Sequence, residues 1–330
     1  MRETFFYALR AIMPILLMIT VGYVVRYVGP WDQKFYKNLN KLCFHLFLPI
    51  NLFCNIYEIQ DLSQTNWLLA GVLLAGIFAS LFLGVLVAKL LVPDPRQKGV
   101  MVQAAFRSNQ AVLGLPLANA LGGAEAMAFA SVVLAICVPL FNVLAVVVLT
   151  LYSSDRAKNI NGKQLLLKVL KNPLIIGAML ALLMICIRLT GVVPAFYLRD
   201  QMPSVYKVLT DFGKVASPVM LFVLGAGLDF KATGHLLPQI SLGVLLRLIL
   251  SPLLIIGTVL VFREPLGMTP MEMPAFIGSC ATPVAVSSAV MVQEIGGDDQ
   301  LASQLVVWSS VLSMASIFVI TFILRTLGAL

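Results

Sequence analysis

Ten apolar runs, each about long enough to cross a lipid bilayer, dominate this chain of 330 residues. A spanning helix needs about 20 apolar residues, and the bilayer interior holds no water to satisfy an exposed backbone group. Only 12% of the residues are charged, against about 25% in a soluble domain. We therefore predict an all-α integral membrane protein with ten transmembrane helices, in spans 1 to 10. The predicted spans are 3–28, 38–57, 67–92, 98–121, 125–152, 172–190, 203–228, 236–262, 272–294 and 300–324.

Charged residues predict how the chain is oriented in the membrane. The first, third and fifth connections are rich in Lys and Arg, whereas the second carries Glu58 and Asp61 and the fourth Glu125. By the positive-inside rule the basic connections are cytoplasmic and both termini lie outside, although Arg188 and Arg199 near the sixth connection run against it. A multi-pass protein of the plasma or inner membrane is expected, with the lipid bilayer as a partner. The basic residues follow topology and form no single patch, so nucleic acid is not expected to bind.

The two halves of the chain are predicted to form an inverted repeat. Five spans lie on each side of the basic connection at 153–171, so the halves must run through the membrane in opposite directions. Short elements recur in register: Gly122 and Gly296 each open a Gly-Gly pair that follows span 4 or span 9, and Pro49 in span 2 matches Pro218 in span 7. This 5+5 arrangement is typical of secondary transporters.

Spans 4 and 9 are both interrupted, at residues 107–116 and 279–288. A backbone group freed inside hydrocarbon costs several kcal/mol unless it lines a cavity enclosed by protein. Paired interruptions in two repeats are therefore the best sequence pointer to a substrate site. We expect these broken helices to cross near the bilayer midplane.

Arginine lies deep in the membrane at two places. A helix that enters at Gln97 reaches Arg107 after about 15 Å, the middle of the ~30 Å hydrocarbon layer. Arg247 lies at a comparable depth in span 8. Such a cation costs roughly 2.5–3.5 kcal/mol, so it normally faces a cavity or a partner. The planar donor forks favour an anionic substrate over a cation, while the alternative for each arginine is a structural ion pair or a cap on backbone carbonyls.

Asn109 enters the first interruption two residues after Arg107. Its amide can bind a carboxylate, or it can cap the half-helix that follows. In either case the partial positive charge of a half-helix N-terminus at the crossing favours anions.

The second interruption combines a helix breaker with small residues. Pro283 breaks the helix after Thr282, while Ser287 and Ser288 either touch substrate or only permit close packing against span 4. Gly114 and Pro116 have packing and kinking as their alternatives. The predicted substrate-binding residues are Asn109, Arg107, Gly114, Pro116, Thr282, Pro283, Ser287 and Ser288, with Arg247, Glu294 and Gln103 in supporting or coupling roles.

Acidic residues within the spans are few. Asp211, Glu294 and Asp229 lie near span ends, and Lys214, three residues after Asp211, is its expected partner. No mid-span acid marks a sodium or proton site, so uniport, proton symport and exchange all remain open. Asn51 and Asn142 are interpreted as helix-to-helix hydrogen bonders. The cysteines and histidines show no metal-ligand spacing, so no metal and no other cofactor is expected.

The function that best fits these features is transport of a small organic anion, such as a mono- or dicarboxylate. No HExxH, GxSxG or P-loop motif indicates an enzyme. A cation/proton antiporter on a similar fold is one alternative, but it needs mid-span carboxylates in the broken helices. A membrane sensor that transports nothing is another, and it would not require two helix breaks.

Four different short motifs are spread along the chain: Asn40 with Pro49 nine residues later, Asn109-x4-Gly114-x-Pro116, Lys171-Asn172-Pro173-Leu174, and Pro283 followed by Glu294. Together they resemble the auxin efflux carrier family, which includes plant PIN proteins and bacterial organic-acid permeases. The short central connection is similar to the compact bacterial branch. The resemblance implies that Asn109 contacts the substrate.

The resemblance also implies a division into two bodies and a homodimer. Scaffold helices 1–2 (residues 1–60) and 6–7 (171–232) would form the dimer interface. A transport domain of helices 3–5 (61–153) and 8–10 (233–330) would move against them as an elevator. Residues 154–170 would form the cytoplasmic connecting loop.

Overall fold

Helices form nearly all of the computed structural model, which describes residues 2–57, 66–153, 162–190 and 197–330. Within these ranges the extended backbone is limited to one isolated bridge. The helices are α1 (Arg2–Val28), α2 (Gln33–Leu42), α3 (Leu48–Tyr57), α4 (Trp67–Leu91), α5 (Pro95–Phe106), α6 (Leu115–Tyr152), α7 (Gly162–Leu170), α8 (Pro173–Thr190), α9 (Leu198–Gln201), α10 (Pro203–Gly227), α11 (Phe230–Leu245), α12 (Ser251–Val261), α13 (Met273–Cys280), α14 (Ser287–Ile295) and α15 (Asp299–Thr326). Three short π-helical turns connect these helices. Cys43–Phe47 joins α2 to α3, Gln110–Gly114 leads into α6, and Leu246–Leu250 joins α11 to α12.

Several of these helical segments are long and apolar enough to cross a bilayer, as the composition predicts. Six qualify among the described residues: Gln33–Tyr57, Trp67–Leu91, Gln110–Tyr152, Pro203–Gly227, Thr233–Val261 and Asp299–Thr326. Large apolar side chains such as Phe82, Leu90 and Leu253 are exposed on their outer faces. Hydrocarbon is the natural surrounding for such faces, so the chain is an α-helical membrane protein.

The longest segment is two helices joined at a glycine. Gln110–Tyr152 has 43 residues, which at 1.5 Å per residue is roughly 64 Å, about twice the hydrocarbon thickness. Gly123 interrupts it with φ 70° and ψ −158°, a conformation open essentially to glycine alone. The Gly-Gly pair thus ends one helix and starts the next, where the sequence predicts the boundary between two spans.

The short broken helices lie at the centre of the molecule. Every residue of α13 is buried, and so is the stretch of α5 from Gly99 to Phe106. Around them α4 packs on α5 and α12, α6 packs on α13, and α15 packs on α11 and α14. On the other side α1 packs on α10 and α3 on α8. The interruptions are therefore enclosed by protein, as their freed backbone groups require.

Ion pairing contributes little to this fold. Among the described side chains the one ion pair joins Lys207 Nζ to Asp211 Oδ2 at 2.6 Å, on an exposed face of α10. The expectation that Lys214 would pair with Asp211 was wrong. Both lysines lie on the helical face of the acid, because positions i−4 and i+3 neighbour position i. The structure uses the i−4 neighbour.

Candidate functional site

The two interruptions meet in an antiparallel bridge between Ser108 and Val284. The Asn109 N–H donates to the Pro283 carbonyl at 2.8 Å, and the Ala285 N–H donates to the Arg107 carbonyl at 3.3 Å. Each break thus satisfies backbone groups that the other break leaves free. Segments about 175 residues apart in sequence hold each other in one crossing, as the paired interruptions predict.

Two glycines let the broken helices touch beside this bridge. A Cβ on Gly114 would lie 2.2 Å from the Gly278 carbonyl oxygen, and one on Gly278 would lie 2.5 Å from the Gly114 oxygen. Only residues without a side chain can approach so closely. Gln110 Nε2 adds a hydrogen bond of 2.7 Å to Ser279 Oγ across the same contact. Gly114 therefore packs the crossing together and does not line a cavity.

The crossing has an electrically negative side and a positive side. The first half-helices, α5 and α13, end here at Phe106 and Cys280, while the second halves begin at Gln110 and Ser287. Helix C-terminal ends carry partial negative charge and N-terminal ends partial positive charge. Cations are therefore favoured at one side and anions at the other.

Arg247 occupies the negative side. It sits in the π-helical turn Leu246–Leu250 and is 1% exposed. Its guanidinium donates to backbone carbonyls at the ends of both first half-helices: Nε to Thr282 at 2.9 Å, Nη1 to Ala105 at 3.2 Å, and Nη2 to Cys280 at 2.7 Å and Ser279 at 3.3 Å. Of the alternatives that the sequence left open, carbonyl capping describes this arginine.

Arg107 lies on the positive side and has a different environment. It is 4% exposed. Its Nη2 donates to Asn142 Oδ1 and to Ser287 Oγ, both at 2.8 Å, and its Nη1 contacts Met291 Sδ. These partners are uncharged, and no described carboxylate pairs with the guanidinium. The ion-pair alternative is therefore not what surrounds Arg107, whose charge has no counter-ion in the described part of the chain.

Arg107 faces a cavity of about 80 Å³. One wall comes from the interruptions and α6, and the opposite wall from α3, α8 and α10. Within residues 2–57, 66–153, 162–190 and 197–330, the lining contains neither carboxylate nor lysine. Its polar members are Asn51, Asn55, Arg107, Ser108, Asn109, Asn142, Ser217 and Ser287.

Asn109 contributes an unused donor to this cavity. Its side chain is 5% exposed and makes no capping hydrogen bond to the turn that follows. Its Nδ2 has no partner among the described residues, and neither does Ser108 Oγ. A buried amide without a partner costs about 1–3 kcal/mol, which a bound acceptor would recover. The geometry therefore favours ligand contact over the N-cap alternative.

The cavity brings together three of the predicted substrate-binding residues, Arg107, Asn109 and Ser287. The others lie outside its lining. Thr282 is fully buried and donates from Oγ1 to the Gly278 carbonyl at 3.1 Å, and Pro283 supplies the bridge carbonyl. Ser288 is buried with its Oγ unpartnered among the described atoms, and Pro116 is exposed.

The predicted supporting residues also stand apart from the cavity. Gln103 is buried one turn before Arg107, and both atoms of its amide lack a partner within the described part of the chain. Glu294, near the end of α14, accepts a hydrogen bond of 2.8 Å from Asn40 Nδ2 on α2. Arg247 contacts the backbone of the crossing on its negative side and does not line the cavity.

Sequence reasoning missed much of the polar lining. Asn142 holds Arg107 and also donates to the Val138 carbonyl at 2.8 Å. Asn51 Nδ2 donates to the Gly213 carbonyl at 3.0 Å, and Asn51 Oδ1 accepts from Asn55 Nδ2 at 3.1 Å. The helix-to-helix bonding expected of Asn51 and Asn142 is present, but both also face the cavity. The sequence signal that could have identified them is that each is a polar residue within a strongly apolar run.

Comparison with known proteins identifies a family for this chain. A family model described as "Membrane transport protein" matches residues 7–321, which include both interruptions. The comparison with curated proteins gave no match. The family match covers nearly all of the chain and agrees with the resemblance to auxin efflux carriers. The chain therefore belongs to this family of membrane transport proteins, the auxin efflux carrier family.

Proposed function

We propose that the protein is a secondary transporter that binds a small organic anion beside Arg107. The observation that carries the proposal is a buried guanidinium that has no counter-ion among the described residues and faces a cavity whose described lining contains no carboxylate. An uncompensated buried cation is costly, and a carboxylate from solution would neutralise it. The planar donor fork suits that ligand.

Groups next to Arg107 also favour an anionic ligand. The unused Asn109 Nδ2 is a further donor to a carboxylate oxygen. The half-helices that begin at Gln110 and Ser287 point their partial positive charge toward the cavity. A volume of about 80 Å³ favours a small mono- or dicarboxylate over a bulky acid.

The cation/proton antiporter gains no support from this site. Exchange of monovalent cations needs a carboxylate among the broken helices, and none of the described residues that line the cavity carries one. No observation specifically favours a sensor that transports nothing. The match to a transport family fits a protein that is not an enzyme.

The helix packing supports the proposed ten-span inverted repeat. In such a repeat, the contact of span 1 with span 7 should recur as a contact of span 6 with span 2. The helices at these positions do pack in this way, α1 on α10 and α8 on α3. The protein would lie in the plasma or inner membrane with both termini on the outer side. Two copies would form a homodimer through their scaffold helices.

The position of the cavity supports an elevator mechanism. Its two walls belong to the two bodies proposed from the resemblance: α3, α8 and α10 to the scaffold, and the crossing with α6 to the transport domain. Alternating access in such folds is largely movement of one bundle against the other. A ligand held by the crossing would travel with the transport domain.

A flux assay tests the proposed function. The purified protein in liposomes should take up labelled members of a panel of small mono- and dicarboxylates with saturation, and empty liposomes should not. Sodium and proton gradients without an organic acid should produce no cation flux. Uptake of cations alone, or no saturable uptake of any acid, would contradict the proposal.

Cross-linking tests the motion. Asn40 and Glu294 are hydrogen bonded across the two proposed bodies. A thiol cross-linker between Asn40→Cys and Glu294→Cys, in a background without native cysteines, should stop transport while anion binding survives. Gln97 and Asp298 provide the matched control, because they are hydrogen bonded at 2.9 Å within the proposed transport domain. Cross-linking Gln97→Cys to Asp298→Cys should leave transport intact, and retained flux in the fully cross-linked Asn40/Glu294 pair would indicate a channel instead of an elevator.

A further inference from the structure

We infer that the protein is an anion exchanger: one organic anion must enter for each that leaves, so net uniport and proton symport are minor. This inference rests on the proposed function and adds its mode of coupling. It is carried by the balance of buried charge around the crossing and by the different partners of the two arginines.

The buried charge is positive only. Among the described side chains, Arg107 and Arg247 are the charged groups that are almost fully buried, at 4% and 1% exposure. Every Asp and Glu whose side chain the structure describes is at least partly exposed. The core of the described protein therefore has no acid of its own to balance a guanidinium.

Arg247 should not distinguish a loaded carrier from an empty one. Its acceptors are carbonyls at the ends of α5 and α13, within the same crossing. These carbonyls move with the arginine whenever the crossing moves. The stabilisation that the half-helix C-termini provide is therefore the same in every state.

Arg107 is balanced only when an anion is bound. Its hydrogen-bond partners are neutral, and the opposite wall of its cavity belongs to α3, α8 and α10. In the proposed movement of one body past the other, protein would enclose the guanidinium on both sides and leave it without solvent screening. An empty carrier would then hold a desolvated cation without a counter-ion, whereas a loaded carrier holds a guanidinium-carboxylate pair. The empty carrier should therefore cross slowly.

Among the described residues, the cavity offers no group that could carry a proton in place of the anion. The lining that the structure describes contains no Asp, Glu, His, Lys, Cys or Tyr. Arginine itself stays protonated under ordinary conditions. Return of the carrier is thus fastest with a second anion, which is exchange.

Efflux from preloaded liposomes measures directly whether an anion on the opposite side speeds the return of the carrier. Liposomes are loaded with whichever labelled carboxylate of the panel is taken up, and efflux is followed into buffer with or without the same unlabelled acid. We expect the external acid to speed efflux about 100-fold, which corresponds to about 2.8 kcal/mol at 1.4 kcal/mol per tenfold. Equal efflux rates would overturn the inference and leave the proposed function standing. Absence of any uptake or efflux would overturn both.

A built-in counter-ion sharpens the test. Asn142 and Ser287 each lie 2.8 Å from Arg107 Nη2, so Asn142→Asp or Ser287→Asp should place a carboxylate against the guanidinium. The empty site is then neutral and the loaded site negative, so external acid should no longer speed efflux. Ser204→Asp is the control, because it adds a carboxylate at an exposed position of α10 outside the cavity lining and should retain the acceleration. Acceleration that persists at about 100-fold in a folded Asp variant would overturn the inference.

Discussion

Two arginines are buried at one helix crossing, yet only one of them faces a cavity. Arg247 donates to four backbone carbonyls, whereas Arg107 contacts two uncharged side-chain oxygens and a sulfur atom. Their burial is nearly the same, so depth alone does not separate their roles. The direction of the half-helices that meet there does.

Half-helix polarity explains the difference. Carbonyls at the ends of α5 and α13 point to one side of the crossing and supply ready acceptors for Arg247. The helices that begin at Gln110 and Ser287 present N–H groups to the other side, where a cation gains nothing from the backbone. Arg107 therefore depends on side chains, and on a bound anion for its charge balance.

The largest expected effect comes from removing the carbonyl cap. Arg247→Met should destabilise the folded protein severely, because each buried carbonyl left without a donor costs about 1–3 kcal/mol. Thermal melting and size-exclusion profiles in detergent measure this loss. Arg263→Met is the control, since Arg263 donates to a single exposed carbonyl, that of Gly328. A stable Arg247→Met protein with unchanged melting would show that the two arginines do not differ as described.

The second effect falls on binding instead of folding. Arg107→Gln should leave a folded protein whose anion affinity falls at least about 100-fold, because loss of one partner from a buried charge pair costs about 3–5 kcal/mol. Binding per folded molecule, by calorimetry or by ligand-induced thermal shift, gives the measurement. Lys207→Gln controls for loss of a positive charge at an exposed site. If Arg107→Gln aggregates or binds normally, Arg107 is a structural residue like Arg247.

The smallest effect concerns the donor beside Arg107. Asn109→Ala should weaken anion binding by at least about tenfold through loss of one hydrogen bond to a charged group, typically about 1.5–3 kcal/mol. Asn109→Asp should weaken it further, because it places negative charge near the anion. The order decides between roles. Aspartate caps a helix about as well as asparagine, so a better result for Asp than for Ala would restore the capping interpretation.

Particular residues show how far sequence reasoning reached into the site. Arg107 and Asn109 could be identified because a cation and an amide at a break in an apolar run require a reason to be there. For Gly114 the sequence could not decide between packing and binding, because its contact partner Gly278 is distant in sequence and is brought close only by the fold. Asn55 and Ser217 had no signal of their own, because their role depends on which face of α3 and α10 meets the cavity.

The sequence by itself determined the class of protein, its largely helical character, the two interruptions and the family. Hydrophobic run length, glycine pairs and proline positions act locally, so they can be read without knowing what packs against what. Only the tertiary structure decided that Arg247 caps carbonyls while Arg107 faces a cavity, and that Asn142 holds Arg107 in place. The reason is physical: both arginines carry the same charge at similar depth, and their roles depend on which ends of distant helices lie beside them.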